Sequence, residues 1–159
     1  MRISASKRIL SICGLTSLSI VIFDQFTKGL VMAHIMPYEA IYVLPFFNIV
    51  NVANRGAAFG SLQSLGNPFF VVLSLVAVVL ILYLLIKEKE NPLALSFILG
   101  GAIGNLIDRI RLGFVVDFLD LFVGRYHWPA FNVADSFLTI GISIILFLYI
   151  YPAIKRVRS

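Results

Sequence analysis

Two aspartates stand where an ionised carboxylate is costly: Asp117 in VVDF and Asp135 in NVAD. Val115, Val116 and Phe118 surround the first, and Val133, Ala134 and Phe137 lie around the second. A charge at membrane depth costs about 2.5–3.5 kcal/mol on insertion scales, so acids in this setting point to chemistry. Carboxylates that share a site cannot both ionise easily; one pKa rises and the pair keeps one proton. Such a pair activates water with one member and protonates a carbonyl or leaving amine with the other. The plainer reading is two separate capping or interfacial acids. Asn132 is placed to cap a helix, with Asp135 at N3 beside the helix's positive end.

Other polar residues gather nearby. Asn105, Asp108 and Arg109 are spaced i, i+3 and i+4 and share one helical face, just after the small residues Gly100, Gly101 and Gly104. Close helix packing explains the glycines; it does not explain Asn105 and Arg109, and Arg109 calls for a carboxylate partner. Asp24 and Lys28 are i and i+4 on an earlier helix, the spacing of an ion pair that makes two buried charges tolerable. Asn54 to Phe59 reads NRGAAF, a turn whose Gly56 and two alanines leave a bare backbone for an extended peptide to lie against. Asp120, three residues beyond Asp117, is given no catalytic role.

These residues hang on a membrane framework. The chain has 159 residues, 60% hydrophobic against 13% charged, with a mean hydropathy of +0.97, far above a soluble domain of this length. It reads as a single domain over 1–159. Four apolar runs reach or approach the length that spans a bilayer: about Ile9–Val31, Phe69–Ile86, Leu93–Ile110 and Ala134–Tyr151, the last stopping at Pro152. The first looks like a signal peptide, but it runs on past Phe23 without an A-x-A site and reads as a retained anchor, with Cys13 facing lipid or core.

Charge sets the sidedness. One side collects both termini and the Lys87–Glu90 turn, with eight basic and two acidic residues; the other has five basic and six acidic. The positive-inside rule places the first side, with both termini, in the cytoplasm and the polar cluster at the outer face. The same clustering leaves no basic face for nucleic acid. Of the two outer loops, about Ala33–Pro68 suggests short strands broken at Pro45 and Asn51, perched on the membrane with Tyr38, Tyr42, Phe46, Phe47 and Phe59 at headgroup level. Tyr126, His127 and Trp128 in the second loop suit the same belt.

Competing chemistries lack their residues. Two histidines in different loops and no HExxH exclude a zinc protease, a single cysteine excludes a disulfide or Cys-based metal site, and no GxSxG elbow appears. A small proton- or ion-coupled transporter is the alternative, because intramembrane acids also mark proton relays. Its polar residues should sit at the midplane of several helices, whereas these gather at one end.

The blocks DQFTK (Asp24–Lys28), NRGAAF (Asn54–Phe59), GGAIGNLIDR (Gly100–Arg109), VVDF (Val115–Phe118) and FNVAD (Phe131–Asp135), in that order, resemble the prolipoprotein signal peptidase family, bacterial signal peptidase II. The resemblance covers essentially the whole chain. It implies a bundle of four transmembrane helices with a small extracytoplasmic sheet and a short amphipathic helix, in the bacterial cytoplasmic membrane. It implies an aspartic endopeptidase with Asp117 and Asp135 as the catalytic dyad, needing no cofactor or metal and inhibited by the cyclic peptide globomycin. Asn54, Asn105, Arg109 and Asn132 would hold the substrate backbone, with Asp24, Lys28, Gly56 and Asp108 in support. The implied substrate is a prolipoprotein whose lipobox cysteine already carries a diacylglyceryl group, met in the lipid by a monomeric enzyme.

Overall fold

The structure is a computed structural model that describes residues 2–56, 63–87 and 90–157. Ala57, Ala58 and Phe59 of the NRGAAF segment, and Glu88 and Lys89 of the inner turn, lie outside the described residues. So do Arg158 and the side chains of Arg2, Lys7, Lys155 and Arg156 in the terminal basic clusters.

Four helices, α1 (Arg2–His34), α2 (Gly66–Ile86), α3 (Pro92–Arg111) and α4 (Val133–Val157), are each long and apolar enough to cross a membrane. Between α1 and α2 lie strands β1 (Ala40–Leu44) and β2 (Phe47–Asn54) and a 3-10 turn at Gln63–Leu65; between α3 and α4 lie β3 (Val115–Val123) and β4 (Tyr126–His127). The strands form one antiparallel sheet in the order β1-β2-β3-β4. All of it sits at the end of the bundle where α1 and α3 finish and α2 and α4 begin. No amphipathic helix is found among the described residues of that end.

Helix α3 is the hub. Its start is fixed by Asn91, whose side-chain oxygen accepts from the Ala94 N–H at 3.0 Å, with Pro92 at the first helical position where no donor is needed. It buries Ala94, Leu95, Leu99 and Leu106 together with its glycines, whereas α2, of similar length, buries only Phe70, Ile81 and Leu85. The glycines explain the difference. A Cβ on Gly100 would lie 2.9 Å from Ile20 Cβ, and one on Gly101 would collide with the Ala134 carbonyl. Small residues thus bring α1 and α4 onto α3 at backbone distance. The outward faces of α1, α2 and α4 remain apolar and exposed, as lipid requires. Cys13 is a core residue, buried beside Leu95 and Leu99.

Two expectations need correction, and one element was not anticipated. Helix α4 does not stop at Pro152; its backbone stays helical to Val157, since a proline removes one ladder bond and can be carried within a helix. Asn51 does not break the strand: β2 runs through it, and a register shift between Ile49 and Val52 absorbs the residue. Its side chain donates to the Ile35 carbonyl at 2.8 Å, tying the sheet to the end of α1. The second loop also contains strands. VVDFLDLFV is rich in Val, Phe and Leu and bounded by Gly113 and Gly124, which is a strand signature. Both glycines have positive φ, +82° and +61°, so they turn the chain where a side chain would be strained.

Candidate active site

Strand alternation places Asp117. Val116 and Phe118 point into a cluster with Val31, Ile35 and Val133, so Asp117 between them faces the opposite way, into an open cleft of about 1230 Å³. Its carboxylate is 2% exposed and is held at both oxygens: Asn54 Nδ2 donates to Oδ2 at 2.9 Å, and Asn132 Nδ2 to Oδ1 at 2.7 Å. Burial, and next the negative charge of Asp135, push the Asp117 carboxyl up to about 7. The hydrogen bonds from Asn54 and Asn132 and the charge of Lys28 pull the other way.

Helix capping places Asp135. Asn132 Oδ1 accepts the Asp135 N–H at 2.9 Å, while Asp135 Oδ2 accepts the Asn132 N–H at 3.3 Å. This reciprocal pair is a capping box, with the acid at N3 as the sequence predicts. Asp135 Oδ1 takes a further hydrogen bond from Asn105 Nδ2 at 2.8 Å. Asn132, itself fully buried, therefore touches both aspartates: its side-chain N–H holds the Asp117 carboxylate, its backbone N–H the Asp135 carboxylate, and its side-chain oxygen the Asp135 backbone N–H. Both carboxylates line the same cleft, with Asn54, Gly56, Asn105 and Arg109.

A second polar cluster lies behind the first. Lys28 Nζ is 2.8 Å from Asp24 Oδ2 and 2.9 Å from Asp108 Oδ2, with all three side chains nearly inaccessible. The expected Asp24–Lys28 pair is thus one arm of a triad. Asp24 Oδ1 also accepts the Ala134 N–H at 2.9 Å, and Asp108 Oδ2 the Val116 N–H at 3.1 Å. The triad therefore grips the backbone one residue away from each dyad member. Gln25 donates to Asp108 at 2.8 Å and to the Gly104 carbonyl at 3.1 Å, completing the set. The two clusters meet at Asn105, whose Oδ1 accepts from Lys28 at 2.9 Å while its Nδ2 serves Asp135.

Arg109 is placed differently from expectation. It forms no ion pair among the described residues; Nη2 donates to the Gly56 carbonyl at 3.1 Å, and the guanidinium lies 4.5 Å above the Phe70 ring. The ring's face and a carbonyl satisfy the cation without a carboxylate. Its buried Nη1 has no partner among the described residues, and Arg109 is one of the residues that line the cleft. Sequence reasoning missed one pair altogether: Asp120, buried, accepts from Asn48 Nδ2 at 2.9 Å and from His127 Nδ1 at 2.9 Å. The parity of β3 explains this, since Asp120 faces the other way from Asp117.

A family model for signal peptidase (SPase) II matches residues 16–151. The chain belongs to the signal peptidase II family. It is 44% identical over 137 residues to the lipoprotein signal peptidase of Thermodesulfovibrio yellowstonii, covering 84% of this chain and 92% of that relative. It is 45% identical over 147 residues to that of Syntrophus aciditrophicus, covering 86% and 90%. A bacterial membrane enzyme solved by the in meso method at 2.3 Å resolution superposes with a TM-score of 0.80 at 35% identity, covering 89% of this chain and 88% of that one. A second, solved at 1.9 Å, gives 0.78 at 36% identity, with 87% and 92% covered. As a signal peptidase II the chain is a peptidase and a multi-pass protein of the bacterial inner membrane, which displaces the transporter alternative.

Proposed function

We propose that the chain is a membrane-embedded aspartic endopeptidase that cleaves diacylglyceryl-modified prolipoproteins just before the lipidated cysteine, with Asp117 and Asp135 as its catalytic pair. One observation carries the reading: the carboxylates of Asp117 and Asp135 both accept from Asn132, the first from its side-chain N–H and the second from its backbone N–H, and both residues line one cleft, with no cation paired to either among the described residues. Without a counter-ion such a pair holds one proton, and its titration belongs to the pair. The ionised member takes a proton from water, whose oxygen attacks the scissile carbonyl carbon. The protonated member hydrogen-bonds the carbonyl oxygen and gives up its proton as that oxygen becomes a hydroxyl. The member that took the water proton then passes it to the amide nitrogen, the C–N bond breaks, and a hydroxyl of the tetrahedral intermediate returns its proton to the other member as the carboxyl product forms, which restores the one-proton state. Asn54, Asn105 and Arg109 border the cleft and would hold the substrate backbone. The Asp24–Lys28–Asp108 triad supports the pair, and Gly56 supports Arg109 through its carbonyl.

The test is cleavage by detergent-purified protein of a lipidated and an unlipidated prolipoprotein, followed by release of the signal peptide. Release from the lipidated form alone, unaffected by EDTA, is expected. Equal release from both would remove the lipid requirement, and loss with EDTA would remove the metal-free mechanism. The same reading puts both termini in the cytoplasm and the cleft at the outer face. Reporter fusions after Ser159 should signal cytoplasm and fusions within 113–126 the exterior; the reverse would overturn that orientation.

A further inference from the structure

We propose that Asp120 and His127 form a latch that fixes the outer wall of the cleft and so sets substrate affinity, acting as positioning residues for the pair of aspartates proposed above, on which reading the inference rests. The wall is the segment Trp128–Phe131, which lines the cleft together with His127 and with Leu121 of β3, as Asp135 and Ser136 also do. Its two ends are tied to β3 by backbone bonds. Trp128 N–H donates to Leu121 O at 2.8 Å; Phe131 N–H donates to Leu119 O at 3.0 Å, and Phe131 O accepts from Phe118 and Leu119. Between those ends Pro129 has no N–H to offer, and Ala130 makes no backbone bond across to β3 among the described residues.

The strand that leads into the wall is short. Tyr126–His127 pairs only with Val123 and Phe122, and a two-residue strand is too little to be rigid alone. What secures it is the His127 side chain. Nδ1 lies 2.9 and 3.0 Å from the two Asp120 oxygens, and the ring stacks on Phe122 with centroids 5.1 Å apart. A carboxylate only accepts, so Nδ1 carries the hydrogen. Asp120 is fixed in turn by Asn48, its cross-strand neighbour on β2, at 2.9 Å. The latch therefore joins β2, β3 and β4 directly beneath the residue where the wall begins. The catalytic pair is held by other groups, so loosening the latch leaves the reacting atoms in place. It leaves a wall that binding must order, and that cost falls on affinity.

The experiment compares steady-state cleavage of a lipidated prolipoprotein by full-length wild type, His127→Phe and His127→Asn. Phenylalanine keeps the stack on Phe122 and loses the bond to Asp120; asparagine supplies an N–H where Nδ1 stood. His127→Phe should raise KM about five-fold with kcat unchanged, and His127→Asn should stay near the wild-type KM. Asp120→Ala should repeat the His127→Phe result by removing the acceptor, which keeps a test in hand if one variant does not fold. Hydrogen exchange at the Ala130 and Phe131 amides should quicken in both loosened variants. A wild-type KM in His127→Phe or Asp120→Ala, equal KM changes in the Phe and Asn variants, or a fall in kcat at constant KM would overturn the latch. A failure of the aspartate mechanism would instead appear as turnover in Asp117→Asn, with the KM comparison at His127 still readable.

Discussion

Two pairs of aspartates, three of the four side chains buried, lie side by side at one end of this bundle, and what stands between the members of each pair separates them. Between Asp24 and Asp108 stands the ammonium of Lys28, within 3 Å of both. Between Asp117 and Asp135 stands the neutral Asn132, whose side-chain N–H reaches the first carboxylate and whose backbone N–H reaches the second. A lysine supplies a charge that ties both acids in place, and the first cluster holds the fold together by gripping the backbone of Ala134 and Val116. An asparagine supplies hydrogen bonds without a charge, so the second pair is held in place with no counter-ion, as the proposed acid–base role requires. The same residue type is thus structural in one place and suited to chemistry in the other, and Asn105 spans the two.

The largest effect should come from removing the cation of the first cluster. Lys28→Met leaves two buried carboxylates uncompensated, and breaking a buried pair this way costs about 3–5 kcal/mol. The thermal unfolding midpoint in detergent should collapse; a midpoint near wild type would erase the distinction between the clusters. Next is Asn132→Ala, which takes a hydrogen bond from the Asp117 carboxylate and the side-chain cap from the Asp135 N–H at the start of α4. Misplacement of about 1 Å costs about 100-fold in rate, so kcat should fall on that scale with the protein still folded, and a two-fold change would mean the amide does not position the pair. Smaller again is Arg109→Lys. An ammonium cannot keep both the stack on Phe70 and the planar fork, and loss of one charge-assisted contact should lower kcat/KM about ten-fold. Wild-type turnover would leave Arg109 a structural cation.

The smallest effect is a pH signature in stability. Asp117 titrates at about 7 in the folded state against 3.8 for an ordinary aspartate, so the folded protein binds more protons between those values. Stability from this group is therefore fully present below about 3.8 and lost as the pH rises through 7. The unfolding midpoint of wild type minus that of Asp117→Asn should move in favour of wild type as the pH falls from about 8 to about 5. A flat difference would mean that Asp117 is not held protonated by its surroundings.

Much of the architecture follows from local pattern. Hydropathy and length locate the four helices, the glycines at 100, 101 and 104 mark where they touch, and the N-x-x-D of Asn132 and Asp135 announces its own capping geometry. The Asp24–Lys28 pair is equally local, set by helical periodicity. What stays hidden is tertiary. That Asp108 joins Lys28, that Asn132 reaches Asp117, and that Arg109 turns to Gly56 and Phe70 all depend on how elements distant in sequence meet. The pair Asp120 and His127 is hidden for a further reason. Read as a loop, the segment has no faces; only once Val115–Val123 is a strand does parity send Asp117 and Asp120 to opposite sides.

The most direct measurement is signal-peptide release by Asp117→Asn and Asp135→Asn, each compared with wild type and each checked for cooperative unfolding in detergent. An amide keeps size and polarity and removes only the exchangeable proton, so both variants should fold and both should lose at least about 100-fold in kcat, the scale of general acid–base catalysis. Wild type should follow a bell-shaped pH–rate profile whose limbs belong to the pair. Substantial turnover by either folded amide variant would contradict the two-aspartate mechanism outright.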